Sequence, residues 1–159
     1  MAYPLLNRPL NRESNMKTLE LETTETQKRG LNDQNIIQLP YGLLGFERVK
    51  NYVLLANPQE EPFMWLQMLD NGRKAFLVVS PFLIVPDYQP DIPKDDVEFL
   101  GLNDPTDALV YNICTLRGPG QATINLRGPV VINRHTLIGK QVIPTNASQL
   151  ALCHPLPVV

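Results

Sequence analysis

The sequence predicts an all-β fold: a compact, mostly antiparallel, β-barrel-like single domain with one short helix near residues 93–100. Three observations carry this reading. Fifteen prolines and nine glycines punctuate the 159-residue chain too often for long helices. Between them lie short runs rich in Val, Ile, Leu and aromatic residues, of the length that strands take, roughly four to eight residues. Turn chemistry separates the runs, at Asn57-Pro58, Asp70-Asn71-Gly72, Gly118-Pro119-Gly120 and Arg127-Gly128-Pro129, with Asp70-Asn71-Gly72 the best hairpin candidate.

Taken in order, residues 1–15 mix Pro, Arg and Asn without a strand or helix period and read as a flexible tail. The texture changes at Met16, which stands as an alternative start, and the domain is expected to span 16–159. Met16-Lys17-Thr18-Leu19-Glu20-Leu21-Glu22-Thr23 alternates apolar and polar, the pattern of a half-buried strand. Polar residues 24–34, with Gly30 and Asn32-Asp33, lead into a second strand at Ile36, Ile37 and Leu39. Residues 40–47, Pro-Tyr-Gly-Leu-Leu-Gly-Phe-Glu, read as a loop held by apolar anchors, its glycines free to adopt angles that other residues resist. Further strands are expected at 52–56, 64–69, 75–79, 109–116, 122–126, 130–133 and 140–143. The helix draws on Pro93 at its first position, Asp95 and Asp96 at its positive end, and Val97 and Leu100 on one side. No segment repeats at a solenoid or propeller period.

Two aromatic positions allow opposite readings. Phe46 is either a core plug or an exposed anchor, and the plug is preferred. If 64–69 is a strand, Met64, Leu66 and Met68 share one face and Trp65, Gln67 and Leu69 the other, with Trp65 expected in the core.

Fourteen basic and sixteen acidic side chains leave a formal charge of -2, too little positive charge for direct nucleic-acid binding. Cys114 and Cys153 sit in apolar surroundings and read as buried free thiols in a reducing cytosol. No charged region followed by an apolar stretch opens the chain, and no run nears the roughly 20 apolar residues of a spanning helix. A cytoplasmic, non-membrane protein is expected. Asn146-Ala147-Ser148 fits a glycosylation acceptor, but with no secretory route it is read as chance.

Catalysis needs a nucleophile with a base, a carboxylate pair in a cleft, or spaced metal ligands. The histidines are His135 and His154, and the nucleophile-elbow, phosphate-loop and dinucleotide motifs are missing. Cys114, His135, Cys153 and His154 lack the paired close spacing of a zinc site. No cofactor, metal or enzymatic activity is expected.

Charge is most uneven across 87–107, where Asp87, Asp91, Asp95, Asp96, Glu98, Asp104 and Asp107 face Lys94 alone. Such a patch steers a basic partner, and interleaved Tyr88, Ile92, Val97, Phe99 and Leu100 offer apolar anchors. The plainer reading makes these acids the solvated face and caps of one short helix.

Longer stretches carry a resemblance. Gly42-Leu43-Leu44-Gly45-Phe46-Glu47, Phe63 with Leu66-Gln67-Met68-Leu69-Asp70, Ala75-Phe76-Leu77-Val78-Val79-Ser80-Pro81-Phe82 and Pro86-Asp87-Tyr88-Gln89-Pro90-Asp91-Ile92 occur in this order. Leu100-Gly101-Leu102, Thr123-Ile124-Asn125-Leu126, Gly128-Pro129-Val130-Val131-Ile132-Asn133, Gly139-Lys140-Gln141-Val142-Ile143 and His154-Pro155-Leu156 follow. Together, from about Met16 to Leu156, they resemble the FliW family of flagellar assembly factors. Leu44 stands where that family usually has proline, Met68 replaces a small polar residue, and residues 1–15 have no counterpart.

The resemblance implies a protein that binds the translational regulator CsrA and, alternatively, flagellin. Exported flagellin would release it to engage CsrA and relieve repression of flagellin messenger RNA. The residues expected to face CsrA are Asp87, Tyr88, Asp91, Asp95, Asp96, Glu98 and Phe99, with Tyr88 and Phe99 as apolar anchors. The free protein is expected to be a monomer, and the flagellin site stays unassigned. Two competing classes are a small β-barrel module for an oligosaccharide or oligonucleotide, and an enzyme assembled from distant residues such as Asp87, His135 and His154.

Overall fold

β-branched and aromatic side chains build the ladders, because neighbouring residues of a strand point to opposite faces and each face needs cover. The computed structural model describes residues 35–70 and 74–156. The expected tail at 1–15, the alternating run at 16–23 and the tip of the Asp70-Asn71-Gly72 turn lie outside the described residues. Those residues form a nine-stranded sheet. Its strands are β1 (Ile37–Gln38), β2 (Asn51–Ala56), β3 (Met64–Met68), β4 (Ala75–Val79), β5 (Ala108–Gly118), β6 (Gln121–Ile124), β7 (Val130–Asn133), β8 (Gly139–Gln141) and β9 (His154–Pro155). The seven runs expected from 52–56 to 140–143 all appear, with ends displaced by at most two residues.

Every pairing between strands is antiparallel, in the order β1-β2-β3-β4-β5-β6-β9, with β7 joining β5 to β8. The sheet curls but does not close, so the expected barrel holds only loosely. Between β1 and the start of β8 there is one isolated parallel bridge, Gln38 to Ile138, where the Gln38 N–H donates to Leu137 O at 2.9 Å. Two- and three-residue strands are too short to extend that bridge into a ladder.

β5 organises the core. It pairs with β7 through 108–111, with β4 through Asn112 and Ile113, and with β6 from Cys114 onward. Its odd-numbered Leu109, Tyr111 and Ile113 pack with Leu39, Tyr52, Leu66, Met68, Val78 and Ile132. Even-numbered Ala108 and Val110 pack with Leu100, Val131 and Val142, and Cys114 and Leu116 with Val79, Tyr88 and Ile124. The period-two alternation thus divides one apolar strand between clusters on both of its faces.

The one α-helix among the described residues, α1 (Lys94–Leu100), covers β7 and the end of β8 through Leu100, Val131 and Val142, the last just past β8. This explains why all four residues of β7 are buried. Pro93 caps α1 instead of occupying its first turn, and Gly101 ends it in the left-handed region at φ 65°, its N–H bonding Glu98 O.

In the 40–47 loop Leu43 is buried, and Phe46 packs edge-on against Phe76 with centroids 5.2 Å apart, the core plug expected of it. Met64, Leu66 and Met68 share one cluster as expected. Trp65 is half-buried, with its indole N–H donating to Glu60 Oε2 at 2.9 Å, so the need to satisfy that N–H keeps it at the rim instead of deep in the core. Cys114 is buried as expected, whereas Cys153 is exposed in an irregular segment beside the Arg117 guanidinium, Nη2 to Sγ 3.5 Å.

Candidate functional site

The acidic segment sorts by what each side chain touches. Asp87, Asp91, Asp95 and Glu98 are exposed, and Phe99 on α1 is 41% exposed. Lys94 and Glu98 lie 3.9 Å apart one helical turn from each other, and at their exposure such a pair contributes little. The Asp91 N–H is accepted by Asn146 Oδ1 at 2.9 Å, tying the entry to α1 to the C-terminal segment.

Two of the seven residues expected to face a partner turn inward. Tyr88 is 4% exposed in the core, and its hydroxyl donates to Leu126 O at 2.7 Å. Burial raises its phenol above the usual tyrosine range. A phenol that finds a carbonyl acceptor inside the fold stays there, so Tyr88 offers no surface anchor. Asp96 is 8% exposed, and its carboxylate accepts from Lys140 Nζ of β8. Among α1's acids, Asp95 and Glu98 therefore carry the charge that faces solvent.

Farther along, Asp104 and Asp107 cap a 3-10 turn at Pro105–Asp107. Asp107 accepts the N–H groups of Asn103 and Asp104 and lies 3.0 Å from His135 Nε2. The His135 side chain, then those N–H groups, hold the Asp107 carboxyl below the ordinary range. These two acids serve the fold locally, and His135 pairs with Asp107, not with Asp87. Among the described residues no group of three or more His, Cys, Asp and Glu is placed to hold a metal ion, and no helix is long and apolar enough to cross a membrane.

The structure adds a partner for Phe99 that sequence reasoning missed. Tyr41, 58% exposed in the 40–47 loop, stacks against Phe99 with centroids 5.2 Å apart and planes tilted by 59°. Lys140 Nζ sits 5.1 Å from the Tyr41 centroid while bonding Asp96, and so ties the loop to the helix. The neighbouring Gln141 accepts the Leu44 N–H at 2.9 Å. No local spacing links residues 41 and 99; the available signal was an aromatic residue in a turn where apolar side chains usually anchor inward.

The family model described as FliW protein matches residues 20–156 of this sequence. The chain belongs to the FliW family. The flagellar assembly factor FliW of Leptospira interrogans serogroup Icterohaemorrhagiae serovar copenhageni is 37% identical over 132 residues, spanning 82% of this chain and 88% of that protein. That of Syntrophus aciditrophicus is 40% identical over 116 residues, 72% of this chain and 73% of its own. The crystal structure of the flagellar assembly factor FliW superposes with a TM-score of 0.71 at 32% identity, over 79% of this chain and 88% of that one. FliW membership makes the chain a flagellar assembly factor with the family's all-β fold.

Proposed function

We propose that this flagellar assembly factor acts in the cytoplasm as a partner-switching regulator, binding and antagonising CsrA and, alternatively, flagellin. Bound flagellin occupies it; once flagellin is exported, the freed protein engages CsrA and relieves repression of flagellin messenger RNA. What carries the reading, beyond family membership, is an exposed acidic stretch, Asp87, Asp91, Asp95 and Glu98, whose last two members share α1 with the exposed ring of Phe99. A protein of formal charge -2 has little to offer RNA itself, but an acidic surface can occupy the basic surfaces of an RNA-binding protein. Tyr88 and Asp96, turned inward, leave the proposed contact set.

Calorimetry of the purified protein with CsrA, at low and at physiological salt, tests this. Binding that weakens as salt rises, and that added flagellin displaces, is the expected result. A folded protein that binds neither CsrA nor flagellin would overturn the proposal.

A further inference from the structure

Most apolar side chains among the described residues find cover, yet Tyr41 and Phe99 lie ring against ring and stay 58% and 41% exposed. They come from elements distant in sequence, and even in contact with each other, and with Lys140 over the Tyr41 ring, both stay partly in water, as aromatic side chains do on surfaces that another molecule covers. The charge around them leans acidic. Glu47 of the loop and Asp95 and Glu98 of α1 are exposed, against Lys94, which lies 3.9 Å from Glu98, and Lys140, which is committed to the Asp96 carboxylate and the Tyr41 ring.

We propose that the 40–47 loop and α1 form one docking face for a basic protein surface, which seats an apolar or cationic side chain on the Tyr41–Phe99 pair and sets its charges against Asp95 and Glu98. The inference rests on the reading of CsrA as partner, and it adds the loop, which the acidic segment alone does not include. Exposed aromatic rings suit this occupant on two counts: they bury large area at low entropic cost, and their faces attract arginine and lysine. Lys140 and Gln141 of β8 hold the two halves in place, Lys140 reaching both Asp96 and Tyr41 and Gln141 accepting the Leu44 N–H. The binding surface is therefore preformed, with little left to order when the partner arrives.

The test measures affinity for purified CsrA by calorimetry for the natural chain and for Tyr41→Ala, Phe99→Ala and Leu152→Ala. Leu152 is 54% exposed beside Ala151, whose carbonyl accepts the Leu126 N–H, and, lying outside both the 40–47 loop and α1, it serves as the control. Both aromatic truncations remove exposed side chains, so thermal midpoints should stay within a few degrees. Each is expected to weaken binding about tenfold, with Leu152→Ala unchanged. If the natural chain binds CsrA and both aromatic variants bind equally well, this face is wrong while the partner reading stands. If the folded natural chain does not bind CsrA, the partner reading falls and takes this inference with it.

Discussion

Cys114 and Cys153 carry the same thiol into opposite environments. Burial pushes the Cys114 thiol up to about 12, so almost no thiolate forms there at neutral pH. Cys153 is exposed beside Arg117. A thiol reagent at pH 8 is expected to label one cysteine promptly, lost in Cys153→Ser, and the other only on unfolding. Prompt labelling of both would show that the cluster around Cys114 opens readily. The sequence placed both thiols in apolar surroundings and was right for the one inside a regular strand, where alternation fixes direction. It failed for the one in an irregular segment, where no period says which way a side chain points. Tyr88 and Asp96 missed for a related reason: local charge and aromaticity cannot show that Leu126 O and Lys140 wait on other elements to receive them.

The 40–47 loop shows how much an element depends on one backbone angle. Gly42 sits at φ +65°, and a Cβ there would meet Glu47 Cα and Phe46 O at 2.6 Å. Gly45 sits at φ +86° with open space around it. Gly42→Ala should therefore destabilise by more than the roughly 1–2 kcal/mol of left-handed strain, and Gly45→Ala by about that strain alone. Denaturant midpoints of the two variants check the order; equal losses would mean the Gly42 contacts relax freely. The Leu44 N–H bonds Gln141, a bond that proline, the residue the family resemblance implies there, cannot make. The glycine positions of this loop were legible because turns select Gly for a known steric reason. The destination of its side chains was not: Leu43 goes in, whereas Tyr41 and Leu44 stay out, at 58% and 65% exposed.

For the whole molecule, stability against acid follows from carboxylates that the fold holds in charged form. Asp70 accepts the Lys50 N–H at 2.7 Å, then the Asn51 amide side chain at 2.8 Å and the Asn51 N–H at 3.0 Å, pinning the end of β3 to the start of β2. These bonds, the Lys50 N–H first, lower its pKa in the folded state. A folded value below the unfolded one means the contribution is complete above the ordinary aspartate range, about 4, and is lost as pH falls through the depressed value. Asp107 shifts the same way through His135 and its N–H donors. Denaturant midpoints are expected to be flat near neutrality and to fall below about pH 4. Asp70→Asn should be less stable near neutrality and show a shallower acid decline, and an identical decline would remove Asp70 from the account.

The sequence by itself determined the all-β class, the seven strands from 52–56 to 140–143, the short helix near 93–100 and the family, because period-two patterning, proline and glycine placement and the order of family segments are local signals. Tertiary structure alone decided that β5 divides its residues between clusters, that β7 is buried on both faces beneath α1, and that the sheet stops short of closure. It also decided the surface. Phe99 meets Tyr41, and Lys140 neutralises Asp96, through contacts between elements far apart along the chain. The physical reason is that local pattern states what a residue prefers, whereas burial and pairing depend on which other element arrives beside it.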